Sequence, residues 1–355
     1  MNKTILSVLI ANAMFTSSVM AAIPPSDTGS TDTNEHDFFS TVVDGTGGNI
    51  GGLVSQEDKK SYDASGNLIG KNEYTEISII SGFLYNKHLP VSLNYSLEKT
   101  RNKWSPAGNS SPVVDNGYKL STNLRYNRGI GGGFSSGFGW ANETDRNDRT
   151  QKDDKQVSHK GKVKQDINEL YTFLGYWNND WQGGFYNQFN YGMSKETNSL
   201  DSTSNWGILN DTYYEISIKP YKNFGKFFGG IEFYYEDKDT DGRDGTYLQN
   251  YNEWYIEPEL AYTFDFGGRL SIKQRYGVET TKMAATKVSK EANYFGEINK
   301  TTIGYQQNFK NWSVNTEVEL FKEDKEQETV NNSYQRESNG WDETKKIKIT
   351  AEYRF

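Results

Sequence analysis

The sequence predicts an all-β protein: a transmembrane antiparallel up-and-down β-barrel of 14 strands, with short periplasmic turns and long extracellular loops. Three observations predict it. Apolar and polar residues alternate one by one along many strand-length segments. Short turns rich in Gly and Asn alternate strictly with long charged stretches. The only long apolar stretch lies in an N-terminal export segment, and nothing after it offers the ~20 apolar residues a membrane helix needs.

From the N-terminus, Lys3 precedes Ile5-Leu6-Ser7-Val8-Leu9-Ile10-Ala11, and Val19-Met20-Ala21-Ala22 follows. A basic residue, a short apolar core and small residues at its end make a secretory signal peptide, residues 1–22, cleaved after Ala21 or Ala22. Residues 23–36, with Pro24-Pro25 and a Ser/Thr/Asp/Gly cluster, read as a flexible leader. The barrel domain is then 37–355. Its first strand lies between about Asp37 and Glu57, where Phe38–Val43 and Asn49–Ser55 compete for it.

The alternation is clearest in Val91-Ser92-Leu93-Asn94-Tyr95-Ser96-Leu97-Glu98, with apolar side chains at odd positions. It recurs at 118–127, 254–264, 270–278, 314–320 and 347–355. Successive strand side chains point to opposite faces, so each segment has one apolar and one polar face. Tight hairpins fall near Asn86-Lys87-His88-Leu89, Gly129–Gly133, Asn178-Asn179-Asp180, Asn223–Lys226, Asp265–Gly268 and Asn308–Asn311. Charged loops are expected over 57–73, 99–116, 144–166, 195–211, 237–250, 281–292 and 322–341. Six hairpins give twelve strands; the strand ending at Phe355 and the first strand complete 14 and put both termini on the short-turn side. A closed cylinder is required, because unpaired backbone groups in lipid cost several kcal/mol each. Tyr85, Trp104, Trp177, Trp181, Phe224, Phe266, Phe309 and Trp312 stand at strand ends and are expected to form the interfacial aromatic girdle.

Composition narrows the function. Of 355 residues, 34% are hydrophobic and 24% charged, too polar for a helical membrane protein, while 14% aromatic is too rich for an acidic disordered chain. There is no cysteine, so disulfides, thiol chemistry and Cys-zinc sites are excluded. Acidic residues outnumber basic ones 47 to 39 with no basic run, which argues against nucleic acid as a partner. No metal-ligand cluster or phosphate loop is visible, so no cofactor is implied; Gly131-Gly132-Gly133 sits in a turn.

With the apolar phase facing lipid, the polar phase lines the lumen. Its acidic members are Glu98, Glu215, Glu232, Glu236, Glu257, Glu259, Glu317, Glu319 and Glu352; its basic members are Lys119, Arg125, Lys219, Lys273, Arg275, Lys346, Lys348 and Arg354. Glu257 and Glu259 precede Lys273 and Arg275 across one turn, and Glu317 and Glu319 precede Lys346 and Lys348 across one loop. Such pairs either brace the wall, at ~0.2–1 kcal/mol each, or set a transverse field in a wet pore. Both readings need water, because a dry interior could not hold so many ions. The aromatics Tyr186, Tyr221, Tyr234 and Tyr255 share the lumen phase, where they pack the wall or stack on sugar rings.

Water-filled passage of ions, sugars and oligosaccharides is therefore expected, with no enzymatic activity. The alternative is an adhesin or structural anchor working through its outer loops. One loop, 146–163, is a candidate gate. An outer-rim hydrolase would need a nucleophile and base; His159 is the only histidine on the loop side, with Asp153 and Asp154 near it in sequence, and carboxylate pairs such as Glu257/Glu259, which could serve glycosidase chemistry, read first as a lumen patch.

In these features, and in the ending Ile349-Thr350-Ala351-Glu352-Tyr353-Arg354-Phe355, the chain resembles the OmpG-like monomeric porins of the Gram-negative outer membrane. The resemblance implies integral outer-membrane localisation, a monomer surrounded by outer-membrane lipid and lipopolysaccharide, and recognition of Phe355 by the barrel-assembly machinery. It also brings an acid-closing histidine gate, which this chain does not match. His36, His88 and His159 are expected in the leader, a short turn and a long loop, so none stands on a lumen-facing strand.

Overall fold

The computed structural model describes residues 46–86, 90–108, 111–152, 158–200, 204–242, 245, 247–284, 291–329 and 336–355. Their secondary structure is all strand: β1 Thr46–Tyr62, β2 Leu68–Asn86, β3 Val91–Pro106, β4 Val113–Gly131, β5 Phe134–Lys152, β6 Ser158–Asn178, β7 Gly183–Leu200, β8 Ser204–Phe224, β9 Phe227–Asp241, β10 Tyr247–Thr263, β11 Gly268–Met283, β12 Ala292–Phe309, β13 Trp312–Thr329 and β14 Arg336–Arg354. Each pairs antiparallel with its sequence neighbours, and β1 pairs with β14, so the sheet is a closed barrel of 14 strands. Of the two segments competing for the first strand, Asn49–Ser55 lies in β1; Phe38–Val43 lies outside the described residues, as do the signal peptide and leader.

Five of the six expected tight hairpins are in place among the described residues; Lys87, His88 and Leu89 of the first lie outside them. Phe309 faces Trp312 across Lys310-Asn311, and Lys310 takes a positive φ of 48°. Gly131, Gly132 and Gly133 all have positive φ in the β4–β5 turn, a conformation that side chains strain. At the other end, Asp63 caps the β1–β2 turn: its carboxylate accepts from the amides of Ser65 (2.9 Å) and Asn67 (2.8 Å) and from the Asn67 side chain (2.9 Å). Those bonds, the Asn67 side chain foremost, hold its pKa below the ordinary carboxylate value.

The two faces of the wall differ as alternation requires. On β13, Trp312, Val314, Thr316, Val318 and Leu320 point outward, followed by Lys322 and Asp324. The apolar belt thus spans nine residues of this strand, matching the ~9–11 a tilted strand needs to cross hydrocarbon. Leu93 to Leu97, Ile216 to Ile218, Ile231 to Tyr235 and Leu270 to Ile272 continue it around the barrel. Polar groups at its upper edge satisfy one another: Gln274 donates to Asn299 Oδ1 (2.7 Å), Thr301 Oγ1 donates to Gln274 Oε1 (2.6 Å) and Asn142 Nδ2 donates to Asn168 Oδ1 (3.0 Å).

The strands are longer than the belt. They run 15 to 21 residues, and the stretches expected as long charged loops are largely strand. β5 continues through Lys152 and β6 starts at Ser158, so 146–152 and 158–163 are strand and not loop; 153–157 lie outside the described residues. The physical reason is that above the bilayer both faces meet water, and apolar alternation no longer marks a strand. His159 is corrected with it: it is the second residue of β6, opposite Gln151, in the lumen phase at the mouth. His36 and His88, and Asp153 and Asp154, lie outside the described residues. The girdle is also corrected in part. Phe224, Phe266, Phe309, Trp312 and Trp181 are exposed at the short-turn end, but Tyr85, Trp104 and Trp177 occupy the inward phase of their strands.

The belt generates a test. Ile272→Arg, mid-belt and outward, is expected to cost about 2–4 kcal/mol of unfolding free energy in bilayers, whereas Thr280→Arg, outward above the belt, costs ~0–1. Urea titration of Trp fluorescence in liposomes measures both; equal costs would remove the belt as drawn.

Candidate functional site

The inner wall from β8 to β12 is layered, and register sets the layers. Glu215 faces Glu236, Glu236 faces Glu253 and Glu253 faces Glu279, so four adjacent strands bring carboxylates side by side. Like charges in direct opposition repel, and the next rows offset this with hydroxyl and amide donors. Tyr234 donates to Glu236 Oε2 (3.2 Å), and Tyr251 to Glu253 Oε2 (3.0 Å) and Glu279 Oε2 (3.1 Å). Asn190 Nδ2 donates to Glu215 Oε2 (2.7 Å), and Tyr213 carries the arc to Glu169 on β6 (3.2 Å). Gly296 sits beneath the place where Glu279 and Glu323 meet; a Cβ there would press on Glu279 Cγ at 2.6 Å and Glu323 Oε1 at 2.8 Å. Only glycine leaves that room.

Toward the short turns the wall becomes mixed in sign. Lys219 Nζ donates to Glu259 Oε2 (2.7 Å), with Arg269 behind at 3.7 Å. Arg275 Nε donates to Glu257 Oε2 (2.8 Å), and its guanidinium lies 3.5 Å from the centre of the Tyr255 ring. Tyr255 in turn stacks on Tyr234 at 4.6 Å. A second ionic group joins Lys119 to Glu76 and, at 3.2 Å, to Glu98. Higher up, Asp342 accepts from both Lys59 (2.6 Å) and Lys325 (2.5 Å), and Arg149 grips Asp115 with two bonds of 2.8 Å. Such forks are the strong form of the ion pair.

Aromatic rings run along the same face near the short-turn end. Phe173 stacks on Tyr186 (5.9 Å) and Arg125 lies 3.8 Å over Phe173. Trp177 stacks on Tyr221 (5.8 Å), Tyr221 on Phe228 (6.1 Å), and Arg269 covers Phe228 at 4.9 Å. Tyr171, Phe173 and Tyr186 form a buried cluster, so Tyr186 packs the wall, and Tyr255 is buried likewise; Trp177, Tyr221 and Phe228 stay half-buried.

All the charged residues expected to line the lumen fall in the inward phase. Glu98, Lys219, Glu232, Glu257 and Glu259 are buried against neighbours, while Lys119, Arg125, Glu215, Glu236, Lys273, Arg275, Glu317, Glu319, Lys346, Lys348 and Glu352 are half-buried. Arg354 is exposed at the rim of the short-turn end. The expected pairing across the β10–β11 turn is present in the Glu257–Arg275 bond and in the Glu259–Lys273 register. Across β13–β14, Glu317 faces Lys348 and Glu319 faces Lys346 in register, yet the ion contacts go elsewhere: Lys346 to Glu57 (3.4 Å) and Lys300 to Glu319 (3.5 Å). Sequence reading missed Glu76, Glu169, Glu253, Glu279, Glu323, Lys325, Asp342 and the Asp115–Arg149 fork. Counting every second residue onward past the last outward apolar side chain would have found them. No group of three or more metal-binding side chains occurs among the described residues.

The buried Lys219–Glu259 pair predicts asymmetric mutational costs. Lys219→Met leaves Glu259 with the distant Arg269 and is expected to cost ~1–3 kcal/mol, with most of it recovered in Lys219→Met/Glu259→Met. Urea unfolding of the liposome-refolded protein measures this; a double variant as unstable as the sum of the singles would show that the pair is not coupled.

Among solved structures, the chain is similar to a Pseudomonas aeruginosa FadL homologue, at 13% identity over 87% of this chain and 89% of that one, TM-score 0.45. It is also similar to the TodX monoaromatic hydrocarbon channel deltaS2 mutant, at 10% identity over 87% and 90%, TM-score 0.49. The translocator domain of autotransporter NalP from Neisseria meningitidis matches at 10% identity over 88% and 89%, TM-score 0.43. At such identities what those proteins carry is not transferred to this one. No curated protein matches the sequence. A family model described as "CymA: Putative cyclodextrin porin" matches residues 1–355, the whole chain. That match reaches the porin part of the resemblance drawn from the sequence, without reaching OmpG-like proteins specifically. An inward wall of ions and aromatics, a closed 14-strand cylinder with an apolar belt, and this match agree: the chain belongs to the CymA family and is an outer-membrane channel of the porin kind.

Proposed function

We propose that the barrel is a passive, water-filled channel for small hydrophilic solutes, working as a monomer and doing no chemistry on what it carries. The observation that carries this reading is the ionic inner face, with charged groups at levels from Arg354 at the short-turn rim to the Asp115–Arg149 fork near the opposite mouth. Barrels of ~8 strands fill with side chains and those of 16–18 leave an aqueous channel, so 14 strands lie nearer the open end. Charged groups on the wall then face water and solute, and their pairing limits the cost of holding them there.

Sugars and oligosaccharides are the solute class best supported. Trp177, Tyr221 and Phe228 offer half-buried ring faces in sequence, beside Arg269 and Lys219, which suits molecules with apolar ring faces and hydroxyl edges. The family description names cyclodextrin, a ring of the same chemistry. The residues proposed to line the pore are those of the inward phase, from Glu98 and Lys119 to Lys348 and Glu352.

Planar-bilayer recording tests both levels. Reconstituted protein should conduct, and maltooligosaccharides or cyclodextrins should interrupt the current; a protein that folds yet stays electrically silent would overturn the channel. Trp177→Ala/Tyr221→Ala is expected to shorten sugar residence about tenfold without abolishing conductance. Unchanged residence would remove the aromatic strip from recognition.

The acidic arc yields a further expectation. Glu236→Gln/Glu253→Gln should shift the reversal potential in a salt gradient toward anions, since two carboxylates leave the wall. An unaltered reversal potential would exclude the arc from the path of ions.

A further inference from the structure

Charge on the outer surface of the barrel is uneven just above the apolar belt. On β3 the last outward apolar residue is Leu97, and the next outward positions are Lys99, Arg101 and Lys103. Lys99 faces Tyr118 on β4, Tyr118 faces Arg146 on β5, and Arg146 faces Lys164 on β6. One row higher, Arg101, Asn116, Asp148 and Lys162 stand in register. Strands lie ~4.8 Å apart, so Lys99 and Lys164 are about 14 Å apart across this face. On the far side of the barrel the equivalent outward positions are mixed in sign: Asp237 and Asp239 on β9, Asn250 and Asn252 on β10, Lys282 on β11, Glu297 on β12, Lys322, which bonds Asp324, on β13, and Lys345 on β14.

Height matters as much as sign. Leu97 faces Leu120 one row below, so the basic row begins a single side-chain repeat, ~7 Å, above hydrocarbon. The exposed Tyr118 stands in that row, and aromatic residues mark the polar boundary of a bilayer. Arg146 is already held by Asp166 (2.5 Å). Lys99, Arg101 and Lys164 are exposed and have no carboxylate within ion-pair distance among the described residues. Asp166 offsets the direct opposition of Arg146 and Lys164 on this sheet face, and Lys99 and Arg101 leave the face with an excess of positive charge.

We propose that the outer face of β3–β6 binds an anionic glycolipid headgroup of the surrounding leaflet, a phosphorylated sugar of the kind that lipopolysaccharide carries, with Lys99, Arg101 and Lys164 as the phosphate-binding side chains. The complementarity is of charge, of height and of width: basic groups at headgroup level on both flanks of an exposed tyrosine.

Native mass spectrometry of the full chain released from phosphatidylcholine nanodiscs doped with lipid A reads lipid retention directly. The wild type is expected to retain lipid A, and Lys99→Gln/Arg101→Gln/Lys164→Gln to retain it about a hundredfold less. Should the triple variant not assemble, Lys99→Gln and Lys164→Gln singly are expected to lose about fivefold each. The matched control Lys282→Gln/Lys322→Gln/Lys345→Gln, on the other side of the barrel, should retain lipid A as the wild type does. Dephosphorylated lipid A should be retained only weakly. Equal retention by wild type and triple variant, equal loss in the control, or displacement of lipid A by inorganic phosphate would each overturn the proposal.

Discussion

The structure depends on one requirement: inside hydrocarbon, every peptide N–H and C=O must find another peptide group. A sheet meets it only by closing, and here closure falls to β1 and β14, which pair from Asn49 with Arg354 to Tyr62 with Trp341. The upper end of that seam is locked by the stack of Tyr62 on Trp341 (4.9 Å) and by Gly340, whose positive φ of 96° admits the bend where β14 slips register against β13. Once the cylinder is shut, period-two alternation leaves no choice about what faces inward. The polar half of each strand must make its own peace with its neighbours.

That inward half explains why the wall reads as a network and not as a scatter of ions. Where signs alternate between strands, as at Lys219–Glu259 and Glu257–Arg275, the charges neutralise locally. Where register forces like charges together, as from Glu215 to Glu279, tyrosine and asparagine donors from adjacent rows supply the stabilisation that a cation would otherwise give. Both solutions keep charged groups on the surface of a passage, and the difference between them gives one side of the passage a distinct chemistry.

Much of this was legible in the sequence. The alternation at 91–98 and 314–320, and the turns at 129–133 and 308–311, fixed strand phase and number because lipid on one face and water on the other write a two-letter pattern. The same rule explains the failures. Beyond Leu97 or Leu320 both faces are wet, the pattern loses contrast, and strand residues such as Asp115, Arg149 and Glu323 read as loop. Trp177 and Tyr85 are illegible for a related reason: an aromatic at a strand end points in or out by parity alone, and its residue type carries no sign of which. Ion partners were the least legible, since Lys346 faces Glu319 yet reaches Glu57 on the other side.

The overshoot of the strands beyond the belt has an electrical meaning. β6 and β8 each have 21 residues, about twice what the bilayer demands. The resistance of a narrow electrolyte column grows with its length, so a stem standing proud of the membrane throttles ionic leak without a narrower bore.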